Sequence, residues 1–351
     1  MNISFEKIVS KAKIQNREND SDLDLQKMEY RRDPLTGRIC TVIIGFAEKL
    51  KLLGETDRDL INRIAEATRK TCPFCPEAIE KVTPIFPKEY FPEGRIKTGE
   101  SVLFPNLFPR SEFEAVAVLS RKHYLKLDEF TPELLANALK SCLIFIDRIK
   151  EMGLKEKYAT IGCNNLFPAG ASSMHPHIQV SVRSVPFFMN EILIDRSNKF
   201  FKSNGSNFWD ELIMVEKELG ERYIGSIGRT EWIVPFAPMG GNDVMGIIKH
   251  RSNLTEFSED DLMDLGKGLS KILKYYEYNG LSSFNFVIHS GPINEELEYF
   301  WSSLRIMSRA NLRDVYISTD SWYGTSLLLE GVSSEYPEKQ AEKIRGFFHS
   351  K

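Results

Sequence analysis

An internal repeat limits the possible folds of this chain more than any other feature of the sequence. The segment KHYLKLDEFTPELL, from Lys122, aligns without a gap with KHRSNLTEFSEDDL, from Lys249, at an offset of 127 residues. Each copy places a hydroxyl residue before an acidic, helix-like run that stops at a glycine, Gly153 or Gly280. Short apolar, strand-like runs, YATIGC and FNFVIHS, follow both helices. The repeat predicts a duplicated α+β unit of strand, Lys-His loop, helix and strand.

The two copies differ in their chemistry, because only the first carries a His-Pro-His motif. Adding the offset of 127 residues to the motif positions His175, His177 and Gln179 reaches only Ser302, Leu304 and Ile306. The first half of the chain is therefore expected to carry the chemistry, and the second half to support it structurally. The polar stretch that begins at Arg196 suggests a boundary between residues 1–195 and residues 196–351.

Composition narrows the class of protein and its partners. With 351 residues, 42% of them hydrophobic, the chain can bury a large core, and a net charge of −3 gives no basic field for nucleic acid or an anionic membrane. No segment approaches the roughly 18 consecutive apolar residues of a membrane span, and the first residues do not resemble an export signal. Five cysteines are a sparse, odd set that argues against a disulfide framework. We expect a cytoplasmic, globular protein.

The stretch GASSMHPHIQV groups several reactive side chains. Its HIQVSV segment alternates and is rich in β-branched residues, so it predicts a strand in which His175, His177 and Gln179 share one face. The preceding PAGASS offers small residues and backbone N–H groups that can approach an anion. A histidine there can attack phosphorus, and a glutamine amide can hold a phosphate oxygen without acting as acid or base. The combination favours group transfer over hydrolysis, and the structural alternative is a pair of hydrogen-bonded core histidines.

The stretch TCPFCPE indicates a metal site. Cys72 and Cys75 have the spacing at which two thiolates reach one tetrahedral zinc ion, and such a site needs two more ligands. A redox role is the alternative, but a redox Cys-x-x-Cys normally opens a helix in a βαβ context that the sequence lacks.

These motifs together resemble the galactose-1-phosphate uridylyltransferase branch of the histidine triad superfamily. That branch carries His-x-His-x-Gln where the hydrolases carry a third histidine, and it includes ADP-glucose and dinucleoside tetraphosphate phosphorylases. The likeness covers most of the chain, through RRDPLTGR, CPFC, FPNLFPR, VIHSGP and PEKQAEKIRGFF. It implies duplicated histidine-triad-like units with antiparallel sheets and flanking helices, the N-terminal unit (1–195) active and the C-terminal unit (196–351) degenerate. It also implies a homodimer.

The resemblance assigns roles at a nucleotide site. His177 would be the nucleophile that becomes nucleotidylated, and Gln179 and Ser172 would hold phosphate oxygens. Asn164 would lie near the reacting phosphate, and Asn106 near the nucleoside. Serine and asparagine in loops also commonly cap turns, which is the alternative role for these polar residues.

The resemblance also completes the zinc site, with His123 and His175 as its third and fourth ligands. The metal would fix the strand that presents His177 rather than touch the leaving group. His250 occupies the repeat position of His123 without a Cys-x-x-Cys partner, so His123 could instead be a loop residue of the fold.

The expected activity is nucleotidyl transfer of the kind used in galactose and nucleotide-sugar metabolism. A nucleoside monophosphate would pass from a sugar nucleotide to a sugar phosphate through a covalent nucleotidyl-histidine. The alternatives are a phosphorylase that uses orthophosphate as the acceptor and an inactive nucleotide-binding protein.

The chain departs from the family pattern in three places. Phe46 stands near the position of a phosphate-contacting arginine, for which the candidate replacements are Arg31, Arg32 and Lys49. A second metal site is predicted to be missing because only His289 matches its ligands. The segment YISTDSWYGTSLLLEG differs from a hexose-recognising tail, so the acceptor need not be galactose phosphate. The turn at residues 240–243 is expected to be scaffold rather than a substrate loop.

Overall fold

Two sheets form the framework of the protein. The computed structural model describes residues 2–15, 23–43, 55–314 and 322–349, so Phe46 and Lys49 lie outside the described residues. The strands are β1 (Lys7–Gln15), β2 (Leu23–Arg32), β3 (Ile39–Ile43), β4 (Ile96–Thr98), β5 (Ser101–Pro105), β6 (Phe113–Val118), β7 (Tyr158–Asn165), β8 (His177–Arg183), β9 (Tyr223–Ile227), β10 (Thr230–Ile233), β11 (Val244–Ile248), β12 (Phe284–His289), β13 (Ser303–Ser308) and β14 (Gly331–Ser333). The helices are α1 (Arg58–Arg69), α2 (Ile79–Val82), α3 (Pro132–Glu151), α4 (Phe188–Asn204), α5 (Phe208–Leu219), α6 (Glu259–Tyr278), α7 (Tyr323–Leu327) and α8 (Pro337–His349).

The larger sheet joins both copies of the repeat. Its strand order is β4-β5-β6-β8-β7-β12-β13-β11-β10-β9, so the second five strands mirror the first five. All neighbouring strands in it are antiparallel, and the seam between the halves is the β7–β12 pair, where Gly162 lies opposite Val287. The predicted fold class, a duplicated α+β unit with antiparallel strands and flanking helices, is confirmed.

The repeat helices α3 and α6 begin where the sequence predicts. The hydroxyls of Thr131 and Ser258 accept hydrogen bonds from backbone N–H groups in the first turn of each helix. Gly153 and Gly280, just beyond the two helices, have φ of 63° and 72°, the left-handed conformation that glycine adopts most easily. Both helices bury their apolar residues against one face of the large sheet, which forms the main core.

Strand β13 holds the place in the second half that β8, the His-Pro-His strand, holds in the first. The constant offset of 127 residues, however, predicted the wrong residues of β13 as equivalents of the motif. Ile161 of β7 pairs with Val180 of β8, and Ile288 of β12 pairs with Leu304 of β13. Equivalent residues are therefore 127 positions apart between β7 and β12 but 124 positions apart between β8 and β13. Because side chains alternate along a strand, a shift by an odd number of residues moves each side chain to the opposite face of the sheet. Leu304 therefore lies in the main core, and the side chains that share the face of the motif are Ser303 and Arg305.

A smaller sheet, β1-β2-β3-β14, ties the two ends of the chain together. Its parallel pair, β3 and β14, brings residues 40–42 beside residues 331–333. Arg31 in β2 is 2% exposed and forms ion pairs with Glu29 and with Glu338 in α8. Because its guanidinium is buried and doubly paired, Arg31 does not replace the missing phosphate-contacting arginine.

Helix α4 contains the polar stretch that suggested a boundary between the two units. Residues 196–204 are helical, and Gly205 ends the helix with a φ of 73°. Trp209 Nε1 donates to the buried Ser197 hydroxyl at 3.0 Å, so this part of the helix is packed against α5. The expected boundary at residue 196 thus lies inside a helix, while the division into two units stays a prediction. None of the described helices is both long and apolar enough to cross a bilayer.

Candidate active site and metal cluster

The side chains of the His-Pro-His strand divide between the two faces of the large sheet. In β8, Ile178, Val180 and Val182 point into the main core beneath α3 and α6. His177 and Gln179 lie on the opposite face because side chains alternate along a strand. The predicted strand is confirmed, and it places His177 and Gln179 on one face, whereas His175 precedes the first residue of the strand.

Four predicted metal ligands converge beside this strand. Cys72, Cys75, His123 and His175 are all buried, and their potential ligand atoms lie within 4.8 Å of one another. The Cys75 sulfur is 3.4 Å from His123 Nδ1 and 3.7 Å from His175 Nδ1, and the Cys72 sulfur is 3.7 Å from His175 Nδ1. Tetrahedral zinc holds sulfur and nitrogen ligands about 3.3–3.8 Å apart, given its bond lengths. The donor set and its spacing therefore fit a tetrahedral metal ion.

The two cluster histidines are oriented by their outer nitrogens. His175 Nε2–H donates to the Ser120 carbonyl at 2.7 Å, and His123 Nε2 lies 3.0 Å from the Thr68 hydroxyl. Each Nδ1 is thus turned toward the cysteines with a lone pair, the arrangement that metal-binding histidines usually show. Burial lowers the pKa of His175 to about 4, so its ring is neutral at neutral pH.

The Cys75 thiol of the cluster needs a nearby cation to ionise. Burial and the neighbouring Cys72 raise the pKa of Cys75 to about 12, which would keep it protonated at neutral pH. A bound divalent cation reverses this preference, because it stabilises the thiolate. The Phe74 backbone N–H lies 3.4 Å from the Cys72 sulfur, so the loop between the cysteines is already folded around one prospective ligand.

His177 is held in one orientation by the residue two positions before it. Its Nδ1–H donates to the His175 carbonyl at 2.8 Å, which leaves a lone pair on Nε2. Nε2 makes no hydrogen bond with any described residue. The side chain is 7% exposed, the Phe74 ring lies edge-on at 5.4 Å, and burial lowers the pKa of His177. The ring is therefore neutral and has a fixed tautomer.

An arginine that sequence reasoning missed lies next to Gln179. Arg110 donates to Gln179 Oε1 at 3.3 Å, and its guanidinium forms an ion pair with the buried carboxylate of Glu114 at 2.6 Å. Arg110 itself is 69% exposed, so the charge faces solvent at the edge of the site. Its position at the end of FPNLFPR, four residues before a single acid in an apolar strand, is the signal that could have identified it.

The predicted nucleoside contact, Asn106, is engaged within the protein. Its Nδ2 donates to Glu114 at 3.1 Å, and its Oδ1 accepts from the Phe108 backbone N–H at 3.2 Å. Hydrogen bonds from Arg110 and Asn106 outweigh burial and lower the pKa of Glu114, which is therefore ionised. One carboxylate thus organises the FPNLFPR loop beside Gln179.

The two remaining candidates lie in different surroundings. Asn164 in β7 accepts a hydrogen bond on Oδ1 from Asn285 Nδ2 at 2.6 Å. Ser172 is exposed in the loop before the motif, and its hydroxyl forms no hydrogen bond with any described residue. The structure brings Asn164, His177 and Gln179 to one face of the sheet and leaves Ser172 in the adjoining loop.

The same face of the second half has a different character. His289 Nδ1 lies 2.7 Å from Asn190 Oδ1, and Arg305 forms an ion pair with Asp243 at 2.6 Å. Helices α4 and α5 cover this face, and His289 and Arg305 line a narrow cavity beneath them. Asp243 contributes to this packing, as expected for a scaffold turn at 240–243. The absence of a second metal site stays a prediction.

Comparison with other proteins agrees with this description. No family model matches the chain. An uncharacterised protein from Archaeoglobus fulgidus is 34% identical over 319 residues, which cover 91% of this chain and 92% of the relative. A galactose-1-phosphate uridylyltransferase from Haemophilus influenzae is 27% identical over 209 residues, 58% of each protein. A crystal structure of an Arabidopsis thaliana ADP-glucose phosphorylase superposes with a TM-score of 0.64 at 19% identity, covering 91% of this chain and 98% of the other.

The duplicated α+β unit with a joined antiparallel sheet shares its fold with the ADP-glucose phosphorylase and with solved uridylyltransferase structures. The chain belongs to one family with the uncharacterised Archaeoglobus protein, and it is similar in sequence to a galactose-1-phosphate uridylyltransferase and in fold to solved uridylyltransferase-like structures. The family resemblance inferred from the motifs is confirmed.

Proposed function

We propose that the protein is a nucleotidyltransferase whose nucleophile is His177. The observation that carries this proposal is the hydrogen bond from Nδ1–H to the His175 carbonyl, since it leaves the lone pair of Nε2 available. A neutral imidazole with a fixed tautomer is the form that attacks an electrophilic phosphorus. Gln179 and Asn164 on the same face add amide groups that can hold phosphate oxygens.

The polarity of Gln179 supports a phosphate-binding role. Its Oε1 accepts from Arg110, so the amide nitrogen is the end left to donate to an anionic oxygen. The exposed guanidinium of Arg110, which is paired with Glu114 on one side, can take the place of the phosphate-contacting arginine that the family has and this chain lacks. Ser172 and the backbone of the preceding loop would supply further donors, and Asn106 would position the loop that meets the nucleoside.

The reaction proceeds in two displacement steps. His177 Nε2 attacks the α-phosphorus of a sugar nucleotide; a phosphorus–nitrogen bond forms, and the bond to the bridging oxygen breaks with release of a sugar phosphate. A phosphate oxygen of the acceptor then attacks the same phosphorus, and the bonding pair returns to Nε2. Gln179 cannot give or take a proton near neutral pH, so the site favours transfer to a bound acceptor over hydrolysis.

We propose that Cys72, Cys75, His123 and His175 hold a zinc ion. Zinc at such a four-ligand site contributes structural rigidity rather than a reactive water. His175 then serves twice, because its side chain belongs to the cluster and its carbonyl orients His177. Holding His175 in place therefore holds the nucleophile in place.

The donor in this proposal is a sugar nucleotide, and the acceptor is a sugar phosphate or orthophosphate. The chain shares its fold with an ADP-glucose phosphorylase and with uridylyltransferases, so orthophosphate is the second acceptor to test. A homodimer and a cytoplasmic location complete the proposal, with no role for nucleic acid or a membrane.

Intact-mass spectrometry tests the nucleophile. The protein is incubated with UDP-glucose or ADP-glucose and kept near neutral pH, because a phosphorus–nitrogen bond is labile in acid. We expect the wild type to gain the mass of one nucleoside monophosphate and His177→Ala to gain none. His349→Ala, which changes an exposed histidine at the end of α8, should label like the wild type.

The acceptor and the alternatives are separated in the same assay. Labelled protein is mixed with glucose 1-phosphate, galactose 1-phosphate or orthophosphate, and loss of the adduct identifies the acceptor. Turnover without an adduct, or an adduct that survives in His177→Ala, would contradict the mechanism. Calorimetric binding of a nucleotide without adduct or exchange would favour the inactive nucleotide-binding alternative.

A further inference from the structure

A residue of the second repeat reaches across the seam of the sheet to the candidate active site. Asn285 in β12 pairs with Asn164 in β7. Its Nδ2 lies 2.6 Å from Asn164 Oδ1 and 2.9 Å from the Ala169 carbonyl, and its Oδ1 lies 2.7 Å from Arg309 Nη1. Asn285 thus joins β7, the turn before the His-Pro-His loop and the residue that follows β13.

The orientation of the Asn285 amide follows from its partners. A guanidinium only donates hydrogen bonds, so the Asn285 atom that faces Arg309 must be the oxygen. A backbone carbonyl only accepts, so the atom that faces Ala169 must be the nitrogen. Both contacts require the same orientation of the Asn285 amide, and the flipped orientation satisfies neither of them.

The same reasoning fixes Asn164. Because Asn285 presents N–H groups, Asn164 must turn its oxygen toward Asn285 and its own NH2 group away. Cys163 pairs with Ile178, so one further step of this antiparallel register places Asn164 opposite His177. The free NH2 group of Asn164 is thereby held on the face of the sheet that carries His177.

We infer that Asn285, held by Arg309, is a positioning residue that sets Asn164 as a hydrogen-bond donor to the transferred phosphate. This inference rests on the proposed function, since it assumes that an anionic phosphate meets Asn164. The second repeat has lost the His-Pro-His motif, yet it supplies the residue that selects which end of the Asn164 amide faces the substrate. An amide presented by its oxygen would repel the phosphate oxygens, whereas the NH2 group binds them.

The test uses a substitution that keeps the shape and reverses the hydrogen bonding. Asn285→Asp can still accept from Arg309, but its carboxylate cannot donate to Asn164, so Asn164 must rotate and present its oxygen to the substrate. We expect the rate of adduct formation on His177 to fall about 100- to 1,000-fold, as for loss of one transition-state donor. Asn164→Ala should show a similar loss, and Asn285→Asp should add nothing further in the Asn164→Ala background.

A matched control separates positioning from folding. Thr160→Val removes the hydrogen bond from the Thr160 hydroxyl to the Ile288 carbonyl, which joins the same two strands without touching Asn164. Its rate should stay within about twofold of the wild type, as expected when a neighbouring bond outside the network is removed. Losses that are additive in the Asn164→Ala/Asn285→Asp variant would overturn the inference.

A failure of the proposed function can be told apart from a failure of this inference. If the wild type forms no adduct with any sugar nucleotide, the proposed function fails. Calorimetric binding of UMP and AMP then provides the readout, because the NH2 group of Asn164 would still contact the phosphate of a bound nucleotide. Non-additive weakening by Asn164→Ala and Asn285→Asp would support the inference, and additive or absent effects would refute it.

Discussion

The contact between the two repeat helices gives a quantitative test of the duplicated fold. Gly266 in α6 lies against the start of α3, and a Cβ atom built on it would lie 2.5 Å from the Pro132 carbonyl oxygen and 3.4 Å from the Ala136 nitrogen. Both atoms belong to the backbone of the other helix. The contact can therefore be relieved only by moving one helix relative to the other.

We predict that Gly266→Ala destabilises the protein. Replacing a helical glycine by alanine gains about 1 kcal/mol of helix propensity. Overpacking a close contact costs about 1–3 kcal/mol. The cost is expected at the upper end here because the contacting atoms belong to the backbone and cannot move aside by a side-chain rotation. The expected net loss is about 1–2 kcal/mol. An unfolding entropy of about 2.1 cal/mol/K per residue gives about 1.4 °C per kcal/mol for a chain of 351 residues. The melting temperature should fall by about 1.5–3 °C.

Differential scanning calorimetry of two glycine variants measures this effect. Gly346 in α8 has no atom within 4 Å of a built Cβ, so Gly346→Ala should leave the melting temperature unchanged or raise it by up to about 1 °C. A Gly266→Ala protein that melts at or above the wild type, beside a Gly346→Ala protein that behaves as expected, would refute the described approach of α3 and α6.

Two further predictions concern buried ionisable groups. Cys75→Ala should reduce bound metal from about one ion per chain to almost none by elemental analysis, whereas Cys142→Ala, a buried cysteine of α3, should retain it. Burial outweighs the ion pair with Arg222 at 3.0 Å and raises the pKa of Glu216 in α5 from its ordinary 4.5 to about 7, so the stability that this carboxyl contributes is full below pH 4.5 and is lost as the pH rises through about 7. The melting temperature of the wild type should therefore fall relative to that of Glu216→Gln across this range, and a constant difference would contradict the buried, proton-binding state.

Sequence patterns located the local features of the fold and the reactive strand. The helix starts at Thr131 and Ser258 were predictable because capping depends on a few neighbouring residues. Likewise, strand alternation places His177 and Gln179 on one face whatever the rest of the fold. The spacing of Cys72 and Cys75 indicated a metal site for the same local reason.

The features that were missed depend on contacts between distant segments. The register change at β13 follows from pairing between strands, which a constant offset along the chain does not express. Helix α4 has a polar sequence, and its packing through Ser197 against Trp209 becomes apparent only in three dimensions. Asn285 and Arg110 look like ordinary polar residues until their partners across the sheet or along the neighbouring loop are known.

The β7–β12 seam ties the fold of the first half to the second half, although the second half lacks the His-Pro-His motif. Either half alone would expose a long, unpaired central strand with apolar side chains, a template for association with other chains. A copy that lacks the His-Pro-His motif thus still covers the edge of its neighbour, and a chain cut between the two repeats would be prone to associate through the uncovered strands.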